Sequence, residues 1–205
     1  MATINIKDKT FETLIPEEEI LRRRWWCLPD RATTAATRLP WRGRELVADV
    51  DEPIKSIDLM EHLKGKKPLL LGVLNGSFIF AADLMRMLTI ESEVSFVKMA
   101  SYEGTSSTGS VKKLLGLNED IKGRTVVIVE DIVDSGLTME RMLEYLKEFN
   151  PAEIHICTLL LKPDNLKRKL DIEYVAMEIP NDFIVGYGLD YDGLGRNLRD
   201  IYVVK

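Results

Sequence analysis

The stretch TVVIVE at residues 125–130 constrains the fold more than any other part of this sequence. Its apolar residues do not alternate with polar ones and are β-branched, so we predict a strand that is buried on both faces. Strands of this kind are typical of parallel sheets that have helices packed on either side. The stretch therefore predicts an α/β fold.

The rest of the chain alternates predicted strands with predicted helices. The strands fall at residues 68–74, 94–101, 125–130, 154–161 and 173–177, and the helices fall at 77–88 and 137–149. This order predicts a mostly parallel, twisted sheet that is flanked by helices. The sequence has no internal repeat or low-complexity linker, so we expect residues 1–205 to form a single domain.

Composition argues against several classes of protein. The chain has a net charge of -5, which argues against nucleic acid as a partner, and no apolar run approaches the roughly 20 residues that span a bilayer. Residues 1–10 have no apolar signal-peptide core. Cys27 and Cys157 lack metal-ligand spacing, so we expect a cytoplasmic protein without disulfides or a membrane partner. His62 and His155 stand apart in the sequence and are predicted to be surface or packing residues rather than metal ligands.

Residues 22–44 interrupt the regular pattern. They contain all three tryptophans of the chain, seven arginines and two prolines, and no helical or strand period runs through them. We interpret the segment as an exposed, irregular insertion. Basic residues interleaved with aromatic ones also fit an RNA-binding arm, which is the alternative. A short amphipathic helix, with Ile57, Met60 and Leu63 on one side, then restores the regular pattern.

An acidic segment and then a segment of small residues follow the buried strand. Glu130 and Asp131 stand at its carboxyl end, where ligands bind in parallel sheets, and residues 135–138 (SGLT) stand where the next helix begins. Backbone N–H groups and hydroxyls there can hold a phosphate, and Gly136 lets the backbone approach it closely. Because the carboxylates would repel that phosphate, we expect them to bind ribose hydroxyls or Mg²⁺. An ordinary acidic turn, with Asp134 capping the helix, is the alternative.

Five segments of this sequence resemble a known family. VVIVEDIVDSGLT at 126–138 resembles the phosphoribosyl pyrophosphate motif of the type I phosphoribosyltransferases. Four more resemble the hypoxanthine-guanine phosphoribosyltransferases in that family's order and approximate spacing: VLNGSF at 73–78, SYEGTSSTG at 101–109, LLLKPD at 159–164 and IPNDFIVGYGLDYDGLGRN at 179–197. The resemblance covers residues 68–205 almost without interruption and residues 1–21 more loosely.

The resemblance implies a fold, an activity and partners. The implied fold is that of the type I phosphoribosyltransferases, with a small hood formed from the chain ends. The implied activity is Mg²⁺-dependent transfer of a 5-phosphoribosyl group from phosphoribosyl pyrophosphate to hypoxanthine or guanine, giving IMP or GMP and pyrophosphate in purine salvage. The family also implies a homodimer or homotetramer. A xanthine-preferring transferase and a regulator that keeps the fold and binds nucleic acid are the alternatives.

The resemblance also implies three catalytic residues. Asp134 would be a general base that faces the purine N7, or else a brace of its loop. Lys162 would donate to the purine 6-oxygen, although on sequence alone it looks like a surface charge at a strand end. Arg196 would contact pyrophosphate, because a guanidinium suits phosphate oxygens.

Metal and substrate contacts are implied in the same way. The magnesium ligands would be Glu130, Asp131 and Asp190, which also bind substrate. The other implied substrate-binding residues are Ser135, Gly136, Leu137, Thr138, Asn75, Gly76, Ser101, Tyr102, Phe183 and Ile184. The Asn75–Gly76 loop would contact pyrophosphate through backbone of unusual peptide geometry. Phe183 would stack on the base, although its composition fits a core aromatic equally well, and residues 101–113 would form a lid that excludes water.

Residues 22–67 depart from the family, which runs one amphipathic helix from the segment matched by IPEEEI to the strand matched by PLLLGVL. A lineage insertion and a slip of the reading frame are the two explanations. The implied site residues all lie outside this segment.

Overall fold

The computed structural model describes residues 2–23, 39–41, 44–46, 59–99 and 114–205, and it shows strands and helices in the predicted alternation. The helices are α1 (Glu17–Arg23), α2 (Leu59–Leu63), α3 (Phe78–Met87) and α4 (Leu137–Lys147). The strands are β1 (Thr3–Ile6), β2 (Lys9–Ile15), β3 (Leu39–Trp41), β4 (Arg44–Leu46), β5 (Leu69–Val73), β6 (Glu93–Met99), β7 (Leu114–Leu115), β8 (Thr125–Val133), β9 (Glu153–Leu161), β10 (Tyr174–Glu178), β11 (Ile184–Val185) and β12 (Ile201–Val204).

Strand β8 lies inside a six-stranded sheet of order β10-β9-β8-β5-β6-β7. It pairs in parallel with β9 and β5, β10 and β6 extend the parallel region, and β7 pairs antiparallel with β6. Residues 125–131 of β8 are all buried, as expected for a strand that is covered on both faces. The predicted mostly parallel sheet is confirmed.

Strand β8 is longer than predicted. It continues to Val133, which pairs with Leu161 of β9. Glu130, the last residue of the predicted strand, and Asp131, which follows it, therefore both lie within β8. Because backbone pairing fixes this part of the chain, the two carboxylates stand on rigid supports.

Helices cover both faces of the central sheet. Residues 126–129 of β8 alternate between two apolar clusters, one packed under α3 and the other under α4. The buried side chains that these helices contribute are Phe80, Ala81, Leu84, Met139, Met142 and Leu146. Burial of each of the larger ones stabilises the fold by about 1.5–3 kcal/mol. Among the described helices, none is long and apolar enough to cross a lipid bilayer.

A separate four-stranded antiparallel sheet forms the predicted hood from residues near both ends of the chain. Its order is β1-β2-β12-β11. A small apolar cluster of Ile6, Phe11, Val185 and Tyr202 stabilises this sheet. Because β11 leads directly into residues 186–196, the hood sheet anchors that loop.

The structure describes only part of the irregular segment at residues 22–44. Strands β3 and β4 pair as a small antiparallel sheet, which the sequence pattern did not predict because each strand has only three residues. The predicted short amphipathic helix is present as α2, with three buried side chains. The remaining interpretations of residues 22–67, as an insertion, a frame slip or an RNA-binding arm, fall largely outside the described residues, as does Ile57.

His62 is exposed and His155 is buried, which are the surface and packing positions predicted for them, and the two side chains meet in the structure although they are far apart in the sequence. The rings of His62 on α2 and His155 on β9 have centroids 4.5 Å apart. The Lys66 ammonium, shortly after α2, lies 2.7 Å from the Glu153 carboxylate at the start of β9. Residues that are distant in the sequence meet here because α2 packs against the amino-terminal end of β9.

Candidate active site

Three backbone segments meet at the carboxyl-terminal edge of the central sheet. A Cβ atom built on Gly76, in the loop after β5, would lie 1.7 Å from the Asp131 carboxylate. A Cβ atom built on Gly188, in the loop after β11, would lie 2.0 Å from the Gly76 carbonyl oxygen. Gly76 thus lies directly between the acidic part of β8 and the loop that the hood anchors.

Glu130 and Asp131 are each 8% exposed. Burial, together with the neighbouring Asp131 carboxyl, raises the pKa of Glu130 well above its ordinary value. Hydroxyl donors or a cation stabilise two adjacent buried carboxylates because they replace the hydration that burial removes. Carboxylate oxygens are also the ligands that Mg²⁺ takes in proteins. The pair therefore fits both a magnesium ion and the hydroxyls of a sugar.

Residues 134–136 form a bend that leads into α4, which begins at Leu137. Gly136, the residue before the helix, has a φ of 77°, a left-handed conformation that favours glycine. The Leu137 N–H donates to the Ser135 hydroxyl at 3.5 Å, and the N-cap position is Gly136, which has no side chain. The alternative in which Asp134 caps α4 is therefore wrong. The first N–H groups of α4 can instead bind a phosphate, with Ser135 and the exposed Thr138 beside them.

Asp134 and Lys162 face each other from neighbouring strand ends. Lys162 Nζ lies 3.0 Å from Asp134 Oδ2, and Asn165 donates a short hydrogen bond to Oδ1 of the same carboxylate. Partial burial acts to raise the pKa of Asp134, but the hydrogen bonds from Asn165 and Lys162 outweigh it and lower that pKa below its ordinary value. The carboxylate is therefore ionised at neutral pH and is held at both oxygens.

Lys162 is 7% exposed and is not the surface charge that its position at a strand end suggested. The backbone N–H of Lys162 donates to the backbone carbonyl of Val133 at 3.0 Å, and this bond links the end of β9 to the end of β8. A lysine is seldom buried unless it is paired, and Asp134 supplies the opposite charge here.

Phe183 is 42% exposed beside the hood sheet, so its interpretation as a core aromatic is wrong. Its ring centroid lies 6.3 Å from that of Phe11 and 5.7 Å from that of Tyr191. The ammonium of Lys9 lies 5.0 Å from the Phe183 ring centroid. An exposed ring supported by other rings in this way can stack on a planar ligand. Ile184, the next residue, is buried in β11.

The loop after β11 carries an internal ion pair. Asp190 Oδ1 lies 2.6 Å from Arg196 Nη2, and Asp190 Oδ2 accepts the N–H of Gly193 at 2.6 Å. Arg196 Nη1 donates to the carbonyl of Gly188 at 2.7 Å. Because Gly188 contacts Gly76, these bonds place the guanidinium close to the loop after β5.

The loop after β5 has the unusual peptide geometry predicted for it, since the bond between Leu74 and Asn75 is cis. Ser101 and Tyr102, with the rest of the predicted lid at 101–113, lie outside the described residues. Met99 of β6 and Leu114 of β7, which flank that segment, are register partners.

Within the described residues, the three predicted magnesium ligands do not gather at one point. The only group of three or more ligand-bearing His, Cys, Asp or Glu side chains found there is formed by His62, Glu153 and His155, at the other edge of the sheet. Glu130 and Asp131 adjoin each other, whereas Asp190 is paired with Arg196. A magnesium ion here would therefore take part of its oxygen shell from substrate.

Known proteins share much of this sequence and its fold. The family model of the phosphoribosyl transferase domain matches residues 42–192. The hypoxanthine-guanine phosphoribosyltransferase of Mycobacterium avium is 48% identical over 138 residues, which are 67% of this chain and 68% of that protein. The chain belongs to the hypoxanthine-guanine phosphoribosyltransferases.

Other members of the family agree with this assignment. The hypoxanthine phosphoribosyltransferase of Escherichia coli is 44% identical over 135 residues, which are 65% of this chain and 76% of that protein. The crystal structure of a hypoxanthine-guanine phosphoribosyltransferase from Bacillus anthracis has a TM-score of 0.73 at 31% identity and covers 95% of this chain and 98% of that one. The chain is thus a phosphoribosyltransferase with the predicted type I fold, and purine salvage is favoured over the regulator and the xanthine-preferring alternative.

Three residues at this phosphoribosyltransferase site were missed by sequence reasoning. Asn165 holds Asp134, Lys9 lies over Phe183 and Gly188 contacts the loop after β5. For Asn165 a signal was present, since a polar residue just after LLLKPD falls at the carboxyl edge of the sheet. Lys9 and Gly188 gave no signal, because the contact of Lys9 depends on packing within the hood and that of Gly188 on how the hood lies over the central sheet.

Proposed function

We propose that this enzyme transfers the 5-phosphoribosyl group of phosphoribosyl pyrophosphate to N9 of hypoxanthine or guanine, giving IMP or GMP and pyrophosphate. The observation that carries the proposal is the buried Lys162 ammonium 3.0 Å from the Asp134 carboxylate. An ammonium donates hydrogen bonds and accepts none, so it matches the 6-oxygen of an oxopurine and mismatches the 6-amino group of adenine. The adjacent carboxylate accepts a hydrogen bond from a protonated N7.

Asp134 is the proposed general base. The N9–C1′ bond forms while the bond from C1′ to the pyrophosphate oxygen breaks, and pyrophosphate leaves with that electron pair. The proton on N7 is taken or shared by Asp134, whose lowered pKa keeps it ionised and ready to accept. Phe183 stacks on the base, and backbone groups of Ile184 contact its edge.

The sugar and its phosphate occupy the end of β8 in this proposal. Glu130 and Asp131 bind the ribose hydroxyls, and the turn at residues 135–138, including Leu137, holds the 5-phosphate with backbone N–H groups and hydroxyls. Positive charge grows on the ribose as pyrophosphate departs, and carboxylates fixed on a strand stabilise it electrostatically. A magnesium ion held by Glu130, Asp131 or Asp190 would neutralise charge on the substrate phosphates.

Pyrophosphate binds between the loops in this proposal. The backbone of Asn75 and Gly76 and the Arg196 guanidinium supply its donors, which suits the short distance between Gly76 and Gly188. Residues 101–113, beginning with Ser101 and Tyr102, close as a lid that keeps water from the activated sugar. We further propose, on family membership, a cytoplasmic homodimer or homotetramer that does not bind nucleic acid.

The test of the proposed function is nucleotide formation. The full chain is mixed with phosphoribosyl pyrophosphate, Mg²⁺ and separately hypoxanthine, guanine, xanthine or adenine, and the products are resolved by chromatography. We expect Mg²⁺-dependent formation of IMP and GMP with little AMP. A preference for xanthine would favour that alternative. Binding of phosphoribosyl pyrophosphate without any product would favour the regulator.

Asn165 is a proposed positioning residue for Asp134. Replacing Asn165 by Ala removes one of the two hydrogen bonds that lower the pKa of Asp134, so that pKa rises toward its ordinary value. We expect kcat to fall on the order of tenfold, since the lost bond is made to a charged group. We also expect the acid limb of kcat/KM to move to higher pH. Steady-state kinetics over a range of pH measures both effects.

The matched control for Asn165→Ala is Asp164→Asn, one residue earlier in the same 3-10 turn and exposed. This control should change neither kcat nor the pH at which the acid limb of kcat/KM falls. If Asn165→Ala lowers kcat equally at every pH with an unmoved acid limb, Asn165 supports the turn and does not position the base.

A further inference from the structure

A second group of polar side chains lies at the amino-terminal end of β9, whereas the active site lies at the carboxyl-terminal ends of the strands of the central sheet. His62 comes from α2, and Glu153 and His155 come from the start of β9. One ligand atom from each lies within 4.8 Å of the others. Lys162 follows the far end of β9, so at about 3.3 Å per residue the group is roughly 25 Å from the catalytic pair.

We propose that His62, Glu153 and His155 form a binding site for a zinc ion. Zinc takes nitrogen and oxygen ligands at about 2.0–2.1 Å in tetrahedral geometry, which places neighbouring ligand atoms about 3.3 Å apart. The Glu153 Oε2 atom lies 3.2 Å from His155 Nε2 and 3.7 Å from His62 Nε2. Two imidazoles with one carboxylate suit zinc, whereas magnesium prefers oxygen ligands.

The ring of His155 is already held in the orientation that a ligand needs. Its Nδ1 lies 3.2 Å from Glu173 Oε1, and the other oxygen of Glu173 accepts the N–H of Ile156 at 3.1 Å. Glu173 thus fixes the ring so that Nε2 faces Glu153. A carboxylate behind a histidine is the support that metal-binding histidines ordinarily have.

Lys66 competes with a metal for Glu153. Its ammonium lies 2.9 Å and 2.7 Å from the two Glu153 oxygens, so it supplies the positive charge when no ion is bound. A zinc ion at Oε2 takes over that charge. The His62 side chain is 39% exposed, so an ion can enter from solvent, and water can complete the coordination shell.

A bound ion would tie α2 to the start of β9. An ion that binds the folded chain and not the unfolded one raises the midpoint of thermal unfolding according to its concentration and affinity. The site therefore predicts a zinc-dependent gain in stability that does not require any change in catalysis.

The test is zinc binding by the full chain after treatment with a chelator. Zn²⁺ is titrated against a chromophoric chelator in excess Mg²⁺, which occupies oxygen-only sites, and thermal unfolding is followed in parallel. We expect one Zn²⁺ per chain and a raised unfolding midpoint. His62→Gln and Glu173→Gln should weaken binding by about 10–100-fold, as the loss of ligands or their supports does in metal sites.

Two further variants separate the site from its surroundings. Glu61→Gln, on the same helix and exposed, should leave zinc affinity unchanged. Lys66→Gln removes the competitor and should tighten binding about two- to fivefold, which is the range expected for a partly exposed ion pair. Absence of zinc binding by the unaltered chain, or affinity that is the same in His62→Gln and Lys66→Gln as in that chain, would overturn the proposal.

Discussion

Replacing Asp134 by Asn should lower kcat by about 10²–10⁴-fold, the contribution of a positioned general base. The amide keeps the size of the carboxylate but accepts no proton. One of its two ends also presents N–H groups to Lys162 or Asn165, so one of the two hydrogen bonds that hold the side chain is lost. Steady-state and single-turnover kinetics measure the loss at the chemical step.

The fold should survive this substitution. Asp134 is part-exposed and its side chain lies outside the core, but Asn removes the charge opposite the buried Lys162 ammonium, so the midpoint of thermal unfolding should fall while the chain stays folded. Asp164→Asn serves again as the control and should retain full activity. A loss in kcat smaller than tenfold, together with a raised KM for the base, would show that Asp134 only braces its loop.

Replacing Gly76 by Ala should lower kcat/KM by about 100-fold, as a displacement of about 1 Å at a reacting centre does. The new methyl group would lie 1.7 Å from Asp131 Oδ2, so the carboxylate must rotate away. Gly76 does not have a left-handed φ, so Ala is not strained by its backbone. The loss therefore falls on the proposed binding of ribose and magnesium by Asp131, and KM for phosphoribosyl pyrophosphate should rise.

Gly72→Ala is the contrasting variant. Gly72 also lacks a left-handed φ, but its added Cβ would lie 2.7 Å from the ring of Phe96, inside the protein. This variant should lower the unfolding midpoint with a smaller effect on KM, whereas Gly76→Ala should show the reverse. Equal losses of stability in the two variants would mean that Gly76 is required for packing and not for the position of Asp131.

Local patterns were sufficient to predict most of the fold. The unalternating apolar residues at 125–130 specified a strand buried on both faces, and the alternation of strands with helices placed a helix at residues 137–149, which is α4. The end of β8 was misplaced because the pairing of Val133 with Leu161 depends on a second strand, which no local pattern reports.

Burial was the property that local sequence did not determine. Lys162 looked exposed and is buried, while Phe183 fitted a core and is exposed, because neighbours from other elements decide both. For the same reason, the hydrogen bond from Asn165 to Asp134 and the contact between His62 and His155 could not be predicted from local sequence. Each of these contacts joins segments that only the packed sheet brings together.

Because of the contacts of Gly76, the effects of substitutions at this position and at the positions that it contacts should depend on one another. With Asp131 on one side and Gly188 on the other, the residue allowed at 76 is set by the residue at 131 and not by the loop that contains it. In an Asp131→Ala background the clash at 76 disappears, so the losses in substrate affinity caused by the two changes should not add. The effects of substitutions at positions 76, 131 and 188 are therefore expected to be coupled, although these positions lie in the loop after β5, in β8 and in the loop after β11.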